Sequence, residues 1–438
     1  MGRFDFLVLG AGVSGLAAAR MLADAGKRIA LVEARNRIGG RILTEHVAMA
    51  DSHSIAVELG AEFIHGLPRA TWSLIREAAL NTCELDGTQL LNQAGRFKSA
   101  DEFHGDASGV LEHMMAWLNE QPSGTDETFS QFLNLATIDA PMRERAAMYV
   151  EGFNAADHRV IGVAALARQQ RAENAIEGDR LFHVEAGYDR LPEFLADRFR
   201  AAGGSILLNR QVRHIRWSRS AVVVTGIDAA GKTFELQAKG AIVTLPLGVL
   251  HAGTVDFDPI PQDIFLNISK MAMGPVARIS LLFDSKFWQK DASFLFAPEE
   301  ALSTWWTPMP NPAPLITGWA GGPKAAALAQ KIAAGDSTLL KESLGVLSRL
   351  FAISIPELEE MLVSRHTHDW QVDPYALGAY SYAPAGAVDA SRMIAKPALD
   401  TLYFAGEHTD TTGHWGTVHG ALASGLRAAT QILGAKTP

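Results

Sequence analysis

The chain has 438 residues, 48% hydrophobic and 20% charged, the make-up of a folded globular protein rather than a disordered, collagen-like or coiled-coil one. Its 39 Lys and Arg against 48 Asp and Glu leave a net charge of −9, which makes nucleic acid and an anionic membrane surface poor partners and mildly favours a cationic small molecule. No apolar run is long enough to span a membrane, and the single cysteine, Cys83, excludes an internal disulfide, an iron–sulfur cluster and a Cys-x-x-Cys redox pair.

Asp5-Phe6-Leu7-Val8-Leu9 reads as a buried parallel strand, and no charged leader with a small-residue cleavage site precedes it. A reducing, cytoplasmic location without membrane association is therefore expected; nothing in these features sets an oligomeric state. Gly10-Ala11-Gly12-Val13-Ser14-Gly15 follows, then Ala18, Met21, Leu22 and Ala25 at helical spacing, Gly26 at a helix C-terminal position, and a second strand from Arg28 to Glu33. In this strand–turn–helix–strand context G-x-G-x-x-G is a dinucleotide fingerprint. Gly10 allows the tight turn, Gly12 lets the backbone approach a pyrophosphate, and Gly15 lets helix and strand pack closely. The helix N-terminus offers N–H groups to phosphate. Glu33 is placed to accept the ribose hydroxyl protons and to repel a 2′-phosphate, which disfavours NADP. Glu33-Ala34-Arg35-Asn36-Arg37-Ile38-Gly39-Gly40-Arg41 comes next. Its paired glycines suit close approach to more phosphate or to a ribityl chain, and Arg35 and Arg41 are forks suited to phosphate and adenine edges.

Residues 67–185 read as mainly helical, with Val110, Met114, Trp117 and Leu118 on one helical face. Strand character returns over 205–245, in runs at 205–208, 212–215, 222–224 and 241–243, and again over 276–320, where Ile279-Ser280-Leu281-Leu282-Phe283 stands out. Alternating Pro308, Pro310, Pro312 and Pro314 mark an extended loop, and a helix is expected over about 324–351. Gly420, Ser424 and Ala428 give a late helix, starting near Thr417, a small-residue face. His366-Thr367-His368-Asp369 and the set His408, Asp410, His414 and His419 lack any recognised zinc spacing, so no metal is expected.

The 33–41 stretch resembles the dinucleotide signature of the flavin-containing amine oxidases: monoamine oxidases, polyamine oxidases and lysine-specific histone demethylases. Further stretches carry the resemblance in the family's order. They are Val57-Glu58-Leu59-Gly60-Ala61-Glu62-Phe63-Ile64-His65-Gly66, Thr244-Leu245-Pro246-Leu247-Gly248-Val249-Leu250, Trp370 with Gly378-Ala379-Tyr380-Ser381-Tyr382, Tyr403 to Thr409, and Thr417 to Gly425. Polyamine oxidases are the closest in motif.

The resemblance implies an α/β fold in which a Rossmann-like FAD-binding domain (1–66, 186–275 and 395–438) is interleaved with an α+β substrate-binding domain (67–185 and 276–394), the p-hydroxybenzoate hydroxylase-like arrangement. It implies FAD held without a covalent bond, because Ala379 stands where covalent monoamine oxidases carry a flavin-linking cysteine. The FAD-contacting positions it implies are Gly10, Gly12, Ser14, Gly15, Glu33, Ala34, Arg35, Gly40 and Arg41 at the start of the chain. Leu59, Gly60, Ala61 and Glu62 follow, then Val212 at the adenine, then Trp370, Gly406, Glu407, Thr417 and Val418. Tyr380 is the implied wall of an aromatic substrate cage, with Thr417 in place of a second tyrosine. His65 and Glu62 are implied substrate contacts, and Arg278 occupies the position of a family lysine near the flavin, as a fixed charge unable to relay a proton. The implied reaction is oxidation of a small-molecule amine, polyamine-like rather than an aromatic monoamine, to an imine that hydrolyses, with O2 reduced to H2O2. A dehydrogenase with another acceptor and a non-catalytic flavin-binding protein are the alternatives, and the absence of a chromatin-binding module speaks against a demethylase role.

Overall fold

The opening apolar run forms strand β1 (Phe4–Leu9), whose Leu7, Val8 and Leu9 are fully buried, as a strand between parallel neighbours requires. Helix α1 (Val13–Asp24) returns the chain through Gly26, and strand β2 (Ile29–Val32) lies parallel to β1 with Val32 opposite Leu9. A computed structural model describes residues 4–49, 54–93, 95–122, 124 and 126–434 of the chain. The first large sheet has eight strands. Its order runs 205–207, β2, β1, 233–243, 221–228, 210–218, 256–258, with Leu402–Phe404 joined to the 233–243 strand. The strand Thr233–Val243 does two jobs. Its first half pairs antiparallel with Ala221–Asp228, and its last residues run parallel between β1 and Leu402–Phe404. The short apolar runs expected at 212–215 and 222–224 fall inside longer strands, and the run at 241–243 is the buried end of one. The rest of each strand escaped notice because many of those residues are exposed or half-exposed and polar.

Above this sheet α1 crosses the C-terminal helix Val418–Leu433. The two approach so closely that a Cβ on Gly425 would sit 2.1 Å from the Ser14 carbonyl oxygen, and Ser14 Oγ meets Ser424 Oγ at 3.1 Å. Only small residues permit this crossing.

A second, seven-stranded sheet has the order 362–366, 276–283, 315–321, 304–306, 292–296, 88–93, 96–99. Residues 67–185 are thus less helical than expected, because Thr88–Gln93 and Arg96–Ser99 form an edge hairpin of this sheet. Both segments are short and mostly polar, with little alternation to betray a strand. Helices Asp101–Glu120, Phe129–Leu135, Ala140–Asn154 and Val163–Asn174 pack beside it around Met114, Phe129, Phe132 and Val150. The single helix expected over 324–351 is two, Gly322–Ala333 and Leu339–Phe351, because Gly335 breaks the first and Thr338 caps the second.

Candidate active site

In the glycine turn between β1 and α1, Gly10 and Gly15 leave no room for side chains. Gly10 adopts φ +114°, and a Cβ there would lie 2.6 Å from Thr244 Oγ1; one on Gly15 would lie 2.0 Å from the Gly10 carbonyl oxygen. Gly40, at φ +62°, faces Gly12 so closely that its Cβ would be 3.2 Å from the Gly12 Cα. Gly12 is the N-cap of α1 and caps it with no side chain, so the helix start is open to an anion. Glu33 is buried; its carboxylate accepts the Ala11 N–H at 2.7 Å and the Arg35 N–H at 2.8 Å, leaving one further lone-pair direction on each oxygen for ribose hydroxyls. This backbone cradle, with a carboxylate at its end, fits a dinucleotide of the FAD type.

Arg35 does not offer its guanidinium as the sequence suggested. Both Nη atoms are held by Asp373 at 2.7 Å, and the group lies over Tyr375 and Trp370. The fork is already occupied by a carboxylate, which fixes the indole of Trp370 instead. Trp370 in turn donates its Nε1–H to the Leu59 carbonyl at 2.8 Å. Arg41 reaches the Ala379 carbonyl at 2.7 Å and Glu407 at 3.0 Å. Glu407 also accepts the Ser381 hydroxyl at 2.6 Å and the Gly416 N–H at 2.9 Å. Burial would raise its pKa, but the Arg41 charge and these hydrogen bonds outweigh that and hold the carboxyl below its ordinary value.

Arg278 is not an isolated charge. It is 5% exposed, binds Glu62 at 2.5 Å and the Gly60 carbonyl at 2.6 Å, and stands over the Trp306 ring. Trp306 donates to the same Glu62 oxygen at 3.0 Å. Arg278 and Trp306 thus share Glu62 Oε2, Glu62 Oε1 makes no hydrogen bond among the described residues, and the ion pair is close to neutral as a unit.

The phenol of Tyr380 donates to the Phe153 carbonyl at 2.9 Å, its ring stacks on Trp319, and it packs over Gly416, where a Cβ would come within 2.8 Å of the ring. Burial pushes its hydroxyl up, so it stays neutral. Trp319 continues to Trp306, and Trp306 to Phe63 and Phe294, at centroid separations of 5.7–6.1 Å. His65 lies edge-on to Phe63 and Phe153; burial keeps its imidazole neutral, and its Nδ1 makes no hydrogen bond among the described residues. Thr417 is the N-cap of the C-terminal helix, accepting the Gly420 N–H at 2.9 Å and donating to the His414 carbonyl at 2.8 Å.

One cavity of about 1100 Å³ unites these parts. Gly10, Gly12, Ser14, Glu33, Ala34, Arg35, Gly40 and Arg41 line it, as do Leu59 to Glu62, His65, Val212, Arg278, Trp370, Tyr380, Gly406, Glu407, Thr417 and Val418. Gly15 stands behind Gly10 rather than on the wall. Sequence reasoning missed Asp373, Trp306, Trp319, Phe153 and Glu173, which also face the cavity or hold its walls. They lie outside any motif, and only the fold brings them in. Cys83 is absent from the lining; it sits on strand Thr82–Glu84 opposite His183. His366 and His368 do not converge: one pairs with Glu45, the other with Asp373.

The family model described as flavin containing amine oxidoreductase matches residues 13–433. Polyamine oxidase 4 of Oryza sativa subsp. japonica is 28% identical, over 97% of this chain and 88% of its own length. Lysine-specific histone demethylase 2 of Homo sapiens is 27% identical over 97% of this chain, which spans about half (53%) of that protein. Among solved structures, a putrescine oxidase bound to putrescine superposes with a TM-score of 0.81 at 20% identity, and a cyclohexylamine oxidase from Brevibacterium oxydans with 0.80 at 20%, each covering 99% of both chains. The glycine cradle, the carboxylate at its end and a match along nearly the whole sequence lead to one conclusion: the chain is an FAD-dependent enzyme and belongs to the flavin-containing amine oxidoreductases.

Proposed function

We propose that the enzyme oxidises the carbon next to nitrogen of a polyamine-like amine, and that the imine is hydrolysed to an aldehyde and a shorter amine. O2 is the electron acceptor in this reading and leaves as H2O2, so that amine, O2 and water balance against aldehyde, amine and peroxide. The observation that carries it is the single cavity running from the dinucleotide cradle into an aromatic chamber walled by Tyr380, Trp319 and Trp306. The eight-stranded sheet supplies the cradle, and the seven-stranded sheet with its helices supplies much of the chamber.

Bound FAD supplies the two-electron acceptor for the chemistry. The aromatic faces attract the incoming cation and exclude water from around it. The ammonium must lose a proton before oxidation. His65, neutral and with an Nδ1 in the wall that makes no hydrogen bond among the described residues, would receive it. Glu177 and Asp179 line the chamber as carboxylates, which suits a substrate with more than one positive charge. Ala379 leaves no thiol at the cofactor, so FAD is held by contacts alone. The lone Cys83 suits a reducing compartment such as the cytoplasm.

The test is a panel of mono-, di- and polyamines read by peroxide formation and by anaerobic bleaching of the flavin. Peroxide with polyamines supports the proposal. Bleaching without peroxide would replace O2 by another acceptor. That second reading has one observation in its favour: Glu62 offsets the Arg278 charge that would otherwise favour reduced oxygen species. No bleaching with any amine would overturn amine oxidation itself.

A further inference from the structure

At the chamber wall, Glu173 meets two histidines from a distant part of the chain. Glu173 is in the last turn of the helix Val163–Asn174, His414 is in the loop leading to the C-terminal helix, and His419 is in the first turn of that helix. One ligand-type atom from each lies within 4.8 Å of the others. Glu173 Oε1 is 3.5 Å from His414 Nδ1, too far for a strong hydrogen bond, and the two imidazoles stand edge-to-face at 4.5 Å.

Two of the three groups are buried with an unused polar atom. Glu173 is 8% exposed and His419 7%, and neither Glu173 Oε2 nor His419 Nε2 makes a hydrogen bond among the described residues. A buried carboxylate is costly unless a cation or donors satisfy it. No lysine or arginine pairs with Glu173 among the described residues. The negative end of the Glu173 helix dipole also favours a positive charge there.

We propose that Glu173, His414 and His419 bind one divalent first-row transition ion of the zinc class, with water in the fourth position. Two imidazole nitrogens and a carboxylate oxygen form a donor set for such an ion and a poor one for Mg²⁺ or Ca²⁺. Tetrahedral coordination places donors ~3.3 Å apart, so the side chains must close in slightly on binding. The ion would tie the helix Val163–Asn174 to the start of the C-terminal helix. Sequence inspection could not find this set, because Glu173 is more than two hundred positions from the histidines and His414 and His419 have no zinc-motif spacing.

The experiment is calorimetric titration of the FAD-loaded enzyme with Zn²⁺ after chelator dialysis, with Co²⁺ as the spectroscopic probe. One saturable site of about micromolar affinity or tighter is expected, with Co²⁺ d–d bands in the difference spectrum against the flavin. Binding should weaken about tenfold or more in each of His414→Gln and Glu173→Gln, and stay unchanged in His158→Gln, which alters the separate Glu151, Asp157 and His158 cluster. Matching visible circular dichroism of the flavin shows that the variants are folded. Absence of a saturable site in the wild type, or binding that survives in both variants, overturns the proposal. A raised KM for diamines in Glu173→Gln with no metal bound by the wild type also overturns it, and gives the carboxylate to a substrate ammonium instead.

Discussion

Glu33 is bound from both sides before any ligand arrives, since each of its oxygens accepts a backbone N–H from the cradle it closes. Glu33→Gln removes the charge and puts an N–H₂ where an acceptor is needed. FAD retention is expected to weaken by about 1.5–3 kcal/mol, read by titrating apoprotein with FAD. Tyr380 stands against the chamber rather than in the cradle. Tyr380→Ala is expected to lower amine turnover about tenfold or more while FAD content stays near that of the wild type; equal loss of both would remove Tyr380 from the chamber wall. Arg278 and Glu62 act as a unit. Arg278→Met leaves a buried carboxylate without its cation and should cost roughly 3–5 kcal/mol of stability, much of it recovered in the double variant with Glu62→Gln. Denaturant unfolding of the three proteins measures this, and the double variant is then the fair material for comparing flavin reduction with reoxidation.

The β1–α1–β2 unit and the C-terminal helix depend on each other through a crossing that tolerates nothing larger than hydrogen at Gly425. Gly425→Val must push the Ser14 turn away, and it is expected to lower FAD content sharply and to broaden or lower thermal unfolding. Comparing flavin content with far-ultraviolet circular dichroism separates a displaced cradle from a chain that does not fold. This unit was the part most legible in the sequence, because the apolar run, the spaced glycines and the terminal carboxylate each state a local requirement of the backbone. The start of a late helix near Thr417 was also legible, though its capping bond was not. The hairpin at 88–99 was not, because its strands are fixed by the neighbour Ala292–Phe296 rather than by their own pattern. Arg35 and Arg278 show the limit at the level of charge. Their positions in the wall were readable, but Asp373 and Glu62, the carboxylates that engage them, were not readable as their partners.

At the scale of the whole molecule, stability should depend on pH through a carboxyl remote from solvent. Burial pushes the Glu58 carboxyl up to about 8, against the lowering influence of the Thr44 hydroxyl and the Tyr188 N–H. An unfolded chain releases this proton near 4.5 and the folded one near 8, so folding takes up a proton between those values. This contribution is full below the lower value, fades as pH rises through the window, and is gone above the upper one. Glu58→Gln is expected to flatten the fall in melting temperature between those two pH values, and an unchanged slope would show that Glu58 is ionised in the fold.

The two-faced strand Thr233–Val243 also sets a timetable for biosynthesis. Its parallel half is completed only by Leu402–Phe404, and α1 is covered only by the helix that follows. The nucleotide unit at the start of the chain is therefore translated first and finished last. At roughly 5–20 residues per second the wait is on the order of half a minute, during which the buried faces of β1 and β2 have their near neighbours but not their final cover. FAD capture thus belongs to the end of synthesis, and a nascent chain stalled before Leu402 is expected to hold no flavin.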